Sequence, residues 1–155
     1  METTPNAKSP ALIIKVLLAT ICMFAGFAGF FLSIWKKNYY AAPACLILEL
    51  VCVALLQLNS KYVKGQLFQK FSHNKLTICM FIAAFLWAVT LAGSIYFLVS
   101  AVKLEQEFYP IKDGFYFALI PCVLANVFSI CLIYDSRKFM KMSAQHHANT
   151  MHNLS

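Results

Sequence analysis

Charge is scarce in this chain, and negative charge is scarcest. Asp, Glu, Lys and Arg together make up 12% of the 155 residues, with six acids against thirteen bases. So little charge, beside 61% hydrophobic residues and a mean hydropathy of +0.68, cannot clothe a soluble domain of this size, and the chain reads as a membrane protein. Glycine and proline are also few, five of each, and no Gly-rich phosphate loop can be assembled from them. Cysteine is present without a motif. Cys22, Cys45, Cys52, Cys79, Cys122 and Cys131 all fall in apolar stretches and form no C-x-x-C pair, so they read as small apolar packing residues rather than a disulfide or metal framework. Paired carboxylates and a nucleophile-base-acid set are missing too, and the expectation is a protein that is not an enzyme.

What the sequence does have is four long apolar runs. Val16 to Trp35, Leu76 to Val102 and Gly114 to Tyr134 carry no formal charge, and Tyr39 to Ser60 carries one, Glu49. A helix rising about 1.5 Å per residue needs roughly 20 such residues to cross the hydrocarbon core. The predicted fold is all-α, a polytopic membrane protein with a four-transmembrane-helix bundle. Its parts are a segment 1–15, spans 16–35, 39–60, 76–102 and 114–134, a basic loop 61–75, an outer loop 103–113 and a basic, His-containing tail 135–155. The first span is too long for a secretory signal, and Trp35, Lys36 and Lys37 stand where small cleavage-site residues belong, so it reads as retained.

Orientation follows from the basic residues. Lys8, Lys15, Lys61, Lys64, Lys70, Lys75, Arg137, Lys138 and Lys141 fall on one side, against Lys36, Lys37, Lys103 and Lys112 on the other. The positive-inside rule puts both termini and the middle loop in the cytosol. That basic face suits anionic lipid headgroups, and no nucleic-acid motif accompanies it. Within the spans, small residues at helical spacing, Ala25 with Gly29 and Ala84 with Ala88 and Ala92, predict packing seams and suit a homo-oligomer. Pro121 should kink the fourth span, as a structural bend or to open a cavity.

Polar groups at membrane depth mark candidate sites. Glu49 shares a narrow helix face with Cys45 and Cys52, both within about 60° of it. It reads either as a proton-linked or substrate-facing carboxyl, or as a neutral acid hydrogen-bonded to Asn126 or Thr90. Gln57 and Asn59 lie at the end of the second span, just before Tyr62. In the tail, His146 and His147 with His152 could ligate a metal or heme, or be an ordinary flexible polar tail.

Three stretches carry a family resemblance: AGFAGFFLSIW closing the first span, NYYAAPACLI leading into the second, and Ser136-Arg137-Lys138-Phe139 after the fourth. With the four spans they resemble the heme-responsive-gene heme transporters, small four-span permeases that move heme toward the cytosol, over roughly residues 16 to 142. The family's post-span motif is aromatic, small, Arg, Lys, aromatic; here Asp135 replaces the leading aromatic. Its second-span ligand position, His or Tyr, is met by Gln57 or Asn59, with Tyr62 the nearest phenol. Its outer-loop histidine is missing, which leaves Tyr109.

The resemblance implies heme as a transported substrate with no tightly held cofactor. An aromatic would cover the porphyrin face, and Arg137 and Lys138 would pair with the propionates. Heme would enter near Tyr109, pass the Glu49 face and leave by Tyr62, Arg137, Lys138 and Phe139. The membrane would be the plasma membrane or an endolysosomal one. A positive-inside count alone also accounts for Arg137, Lys138 and Lys141. The competing expectation is a non-transporting tetraspan of the MARVEL or claudin kind, although the short outer loops lack a cysteine pair.

Overall fold

With no water in a bilayer core to take up backbone N–H and C=O groups, apolar runs of this length are driven into helices, where those groups pair internally. The structure, a computed structural model, describes residues 9–108 and 114–152. It contains α1 (Pro10–Trp35), α2 (Ala41–Val63), α3 (Leu67–Lys70), α4 (His73–Lys103) and α5 (Phe115–His152), with no strand among the described residues. The four long helices are each long and apolar enough to span a membrane, with 18-residue windows of mean hydropathy 2.2 to 2.3. Hydroxyl side chains inside them bond back to their own helix: Thr20 to the Val16 carbonyl at 2.8 Å, Ser33 to Gly29 at 2.6 Å and Ser94 to Thr90 at 2.7 Å.

The helices lie in the order α1, α2, α5, α4, with α2 and α5 in the middle. Burial follows that order. Much of α2 and α5 is enclosed by neighbours, whereas α1 and α4 turn Phe24, Phe27, Phe31, Phe81 and Phe85 outward. For lipid-facing side chains that exposure carries no hydrophobic penalty.

A seven-residue repeat of buried positions runs through every long helix. It comprises Ala19, Gly26 and Ser33 in α1; Ala41, Leu48 and Leu55 in α2; Leu76, Ala83 and Thr90 in α4; and Ala118, Ala125, Leu132 and Phe139 in α5. Such a repeat keeps one stripe of each helix against its neighbour and is the signature of left-handed crossings. The seams therefore differ from those expected from four-residue spacing. On α1 the close approach is at Gly26, where a Cβ would stand 3.3 Å from the Cys45 carbonyl oxygen, and at Gly29, where it would stand 3.1 Å from Cys45 Sγ. Ala25 faces outward, as do Ala88 and Ala92 on α4. A four-residue stripe drifts around the helix, and a seven-residue one holds its face.

Three helices end in one way. After α1, Lys37 N–H donates to Ile34 and Asn38 N–H to Ser33; after α2, Gly65 donates to Tyr62 and Gln66 to Lys61; after α4, Glu105 donates to Val102 and Gln106 to Ala101. These are Schellman caps, and the pivotal residue of each is left-handed: Lys37 at φ 56°, Gly65 at 66° and Glu105 at 46°.

The largest departure from the expected layout lies after Tyr134. Instead of ending in a flexible tail, α5 runs on as helix to His152 and is continuous through Pro121. The basic loop 61–75 contracts likewise, because α2 extends to Val63, α4 begins at His73 and α3 fills the gap. Leu67 of α3 is buried in one apolar cluster with Leu76 and Phe139. The extension is thereby packed at its root rather than left in solvent.

Candidate functional site

Where α2 ends and α5 passes out of its apolar stretch, polar residues gather that the surrounding leucines cannot satisfy. Asp135, with its side chain only 4% exposed, accepts from Lys15 Nζ at 2.8 Å, the only ion pair among the described residues. Its other oxygen accepts from Asn59 Nδ2 at 2.9 Å, and the same amide reaches the Leu55 carbonyl at 2.9 Å. A carboxylate so enclosed is stabilised by the cation and the further donor on it. Three helices supply the set, and the pair ties α1 to α5, which otherwise touch little.

One turn further on, the Tyr62 and Phe139 rings lie 4.8 Å apart at an interplanar angle of 34°. Lys138 Nζ sits 5.8 Å from the centre of the Tyr62 ring, within cation–π range. Between these groups and the start of α1 is a cavity of about 200 Å³ bordered by Ser9, Lys15, Asn59, Tyr62, Tyr134, Asp135, Lys138 and Phe139. It combines two ammonium groups, one carboxylate, two phenols and an aromatic wall. That inventory suits recognition of an anion joined to an apolar body.

Four residues singled out from the sequence, Asn59, Tyr62, Lys138 and Phe139, meet at this cavity. The others do not. Arg137 is exposed and does not border it, and Gln57 points away from the buried side of α2. Tyr109 lies outside the described residues. Phe139 is 2% exposed, so it backs the wall and Tyr62 offers the accessible ring. Glu49 is half-buried beside the α1 seam, its backbone nitrogen 3.6 Å from where a Gly26 Cβ would be. Its expected partners are engaged elsewhere: Asn126 Nδ2 donates to the Trp87 carbonyl at 3.2 Å and to Thr90 Oγ1 at 3.5 Å. Both belong to the α4–α5 side of the bundle, whereas Glu49 lies on the α1 side of α2. The His146 ring meets Phe68 edge to face at 5.7 Å, and the side chain of His147 lies outside what is described. No cluster of three His, Cys, Asp or Glu side chains that could hold a metal occurs among the described residues.

Lys15 and Asp135 were hidden from sequence reasoning. Lys15 looked like one more flanking base, and Asp135 like a mismatch in a motif. The available signal was an acid placed directly after an apolar run, in a stretch that is otherwise basic.

The opposite end of the bundle is built without charge pairs among the described residues. Buried Asn38 donates to the Gly114 carbonyl at 3.0 Å and accepts from the Tyr40 and Ala41 N–H groups at 3.2 and 3.0 Å, so one side chain caps α2 and holds the approach to α5. Gln106 Oε1 accepts from Phe115 N–H at 2.9 Å and caps α5. Near them Tyr40, Tyr96, Phe97 and Phe115 pack with ring centres 5.1 to 6.2 Å apart.

Helix content, span lengths and lipid-facing aromatics define a multi-pass α-helical membrane protein. Compared with protein-family models, curated proteins and solved structures, the chain matches none.

Proposed function

We propose that this protein is a membrane permease for heme, passing it toward the end of the bundle where Tyr62, Lys138 and Phe139 meet. That convergence is the observation that carries the reading: three residues from two helices, selected for their fitness to bind a porphyrin with two propionates, stand around one cavity. Tyr62 supplies a ring and a phenol, and Lys138 a cation for a propionate. With an anion site at the basic end, that end faces the cytosol, as its excess of Lys and Arg favours. The membrane is the plasma membrane or an endolysosomal one.

Cavity size constrains the mechanism. Pockets that enclose drug-sized ligands run to about 300–1,000 Å³, so about 200 Å³ takes the propionate edge and not the macrocycle. Passage requires α1 to move away from α5, and the Lys15–Asp135 pair is the contact that must yield.

Growth of a heme-synthesis-deficient cell at limiting external heme tests this. The intact protein should rescue, Lys138→Ala should need about tenfold more heme, on the scale of one charge-assisted hydrogen bond, and Arg137→Ala should change little. Surface-expressed protein that gives no rescue would sink the permease reading and leave the non-transporting tetraspan in its place. Full rescue by a Tyr62→Ala/Lys138→Ala variant would keep the permease and remove this cavity from its path.

A further inference from the structure

The cavity at the foot of α1 carries more positive charge than its own carboxylate answers. Asp135 is committed to Lys15 and Asn59, and Lys138 has no ion-pair partner among the described residues, its ammonium resting over the Tyr62 ring. Bordering the cavity together with Asp135 are Lys15 from α1, Asn59 and Tyr62 from α2, and Tyr134 and Lys138 from α5 itself. With Lys15 and Lys138 against one Asp, the cavity is left with a net positive charge. The start of α1 opens on the same space: Ser9 and Ala11 border it, and Ser9 gives the helix no side-chain cap. The positive end of that helix dipole therefore adds to the two ammonium groups.

We infer that this cavity is a binding site for a single oxyanion, a phosphate or carboxylate group, held between Lys15 and Lys138 with the Tyr62 hydroxyl as a further donor. Its volume, about 200 Å³, equals that of roughly seven liquid waters, room for the anionic group and the first atoms of whatever carries it. Lys15, 26% exposed, is the pivotal residue. It turns from Asp135 to the incoming anion, while Asn59 keeps its hold on Asp135. Asp135 thus acts as an internal competitor that occupies Lys15 until an anion replaces it. The inference goes beyond the cargo reading and does not rest on it, because a phospholipid headgroup, free phosphate and a porphyrin propionate all present the same chemistry.

The full chain in phosphatidylcholine nanodiscs containing a minor fraction of phosphatidic acid distinguishes the sources, with native mass spectrometry reading which lipid stays bound after release. The site predicts one phosphatidic acid retained in about tenfold excess over its share of the bilayer, the scale of one hydrogen bond to a charged group. Lys138→Gln breaks no ion pair among the described residues and gives up only the contact with the Tyr62 ring; with its unfolding temperature in anion-free discs as the control for folding, it should lower that enrichment severalfold. Asp135→Asn removes the competitor and should raise it, whereas a merely structural Lys15–Asp135 pair would give a less stable protein with no gain in anion retention. In discs without phosphatidic acid, a rise in unfolding temperature with millimolar inorganic phosphate that is absent in Lys138→Gln assigns the site to a soluble anion. Absence of both lipid enrichment and phosphate stabilisation overturns the proposal, as does enrichment unchanged in Lys138→Gln and not raised in Asp135→Asn.

Discussion

The two ends of this bundle solve the same problem with different chemistry. At the end away from Asp135, helix termini are satisfied by neutral amides, Asn38 and Gln106, beside four packed aromatic rings. At the basic end, a buried carboxylate is held by Lys15 and Asn59 beside a cavity with a second lysine. A neutral amide that is fully bonded costs little to bury and has nothing to exchange. A partly exposed lysine paired with a carboxylate can trade that carboxylate for another anion. The amide-capped end therefore has no partner to exchange, and the basic end has one, although both use side chains of similar size.

Substitutions can break this contrast, and the largest effect should come from the basic end. Asp135→Ala leaves Lys15 unpaired and removes one of the two acceptors of Asn59, and should lower stability by about 3 kcal/mol, read as a lower unfolding temperature in detergent or nanodiscs. Exchanging the pair as Lys15→Asp with Asp135→Lys should recover part of that loss. No recovery would mean that the surrounding donors, and not the pair, hold the charge. Next in size is Asn38→Ala, which leaves the Tyr40 and Ala41 N–H groups and the Gly114 carbonyl without this partner, at a cost of about 2 kcal/mol. Hydrogen exchange should localise that loss to the first turn of α2, while retention of anion at the basic end stays unchanged.

The smallest effects concern the helix caps. Gly65 at the basic end is free to be left-handed and has nothing within 4 Å of its would-be Cβ, so Gly65→Ala tests backbone strain alone, at about 1 kcal/mol. Glu105 holds the same conformation with a side chain. Glu105→Gly should gain about 0.5 kcal/mol once the greater unfolded-state freedom of glycine is subtracted. Opposite signs at the two positions are the expected outcome. A loss at both would show that the Glu105 side chain contributes more than its backbone costs.

Four spans and their rough limits were legible in the sequence because uninterrupted apolar runs of that length admit few other structures. The helical extension after Tyr134 departs from the expected tail, although the chain carries a signal for it: no glycine or proline follows Pro121, the residues that most often stop a helix. Charged and polar residues mark an exit from lipid and not the end of a helix. The expected seams hold at Gly29 and miss at Ala25, Ala88 and Ala92, because a four-residue spacing of small residues drifts off the face that the seven-residue repeat keeps buried. The convergence of Tyr62, Lys138 and Phe139 was partly legible, since a motif marks Lys138 and Phe139 and Tyr62 is the phenol nearest the end of the second span, but nothing local encodes their contact. The Lys15–Asp135 pair, 120 residues apart, depends on which helices become neighbours, and no local pattern encodes that.

The uninterrupted course of α5 gives the molecule a lever. One rod joins the inner bundle to the part beyond Asp135, and at about 1.5 Å per residue that outer arm is roughly 25 Å long. A tilt of about 5° at its root would carry the tip through about 2 Å. The short α3 lies along the arm, with the Phe68 ring against His146. A tilt set at Asp135 would thus be magnified along α5 and met by α3 at the Phe68–His146 contact.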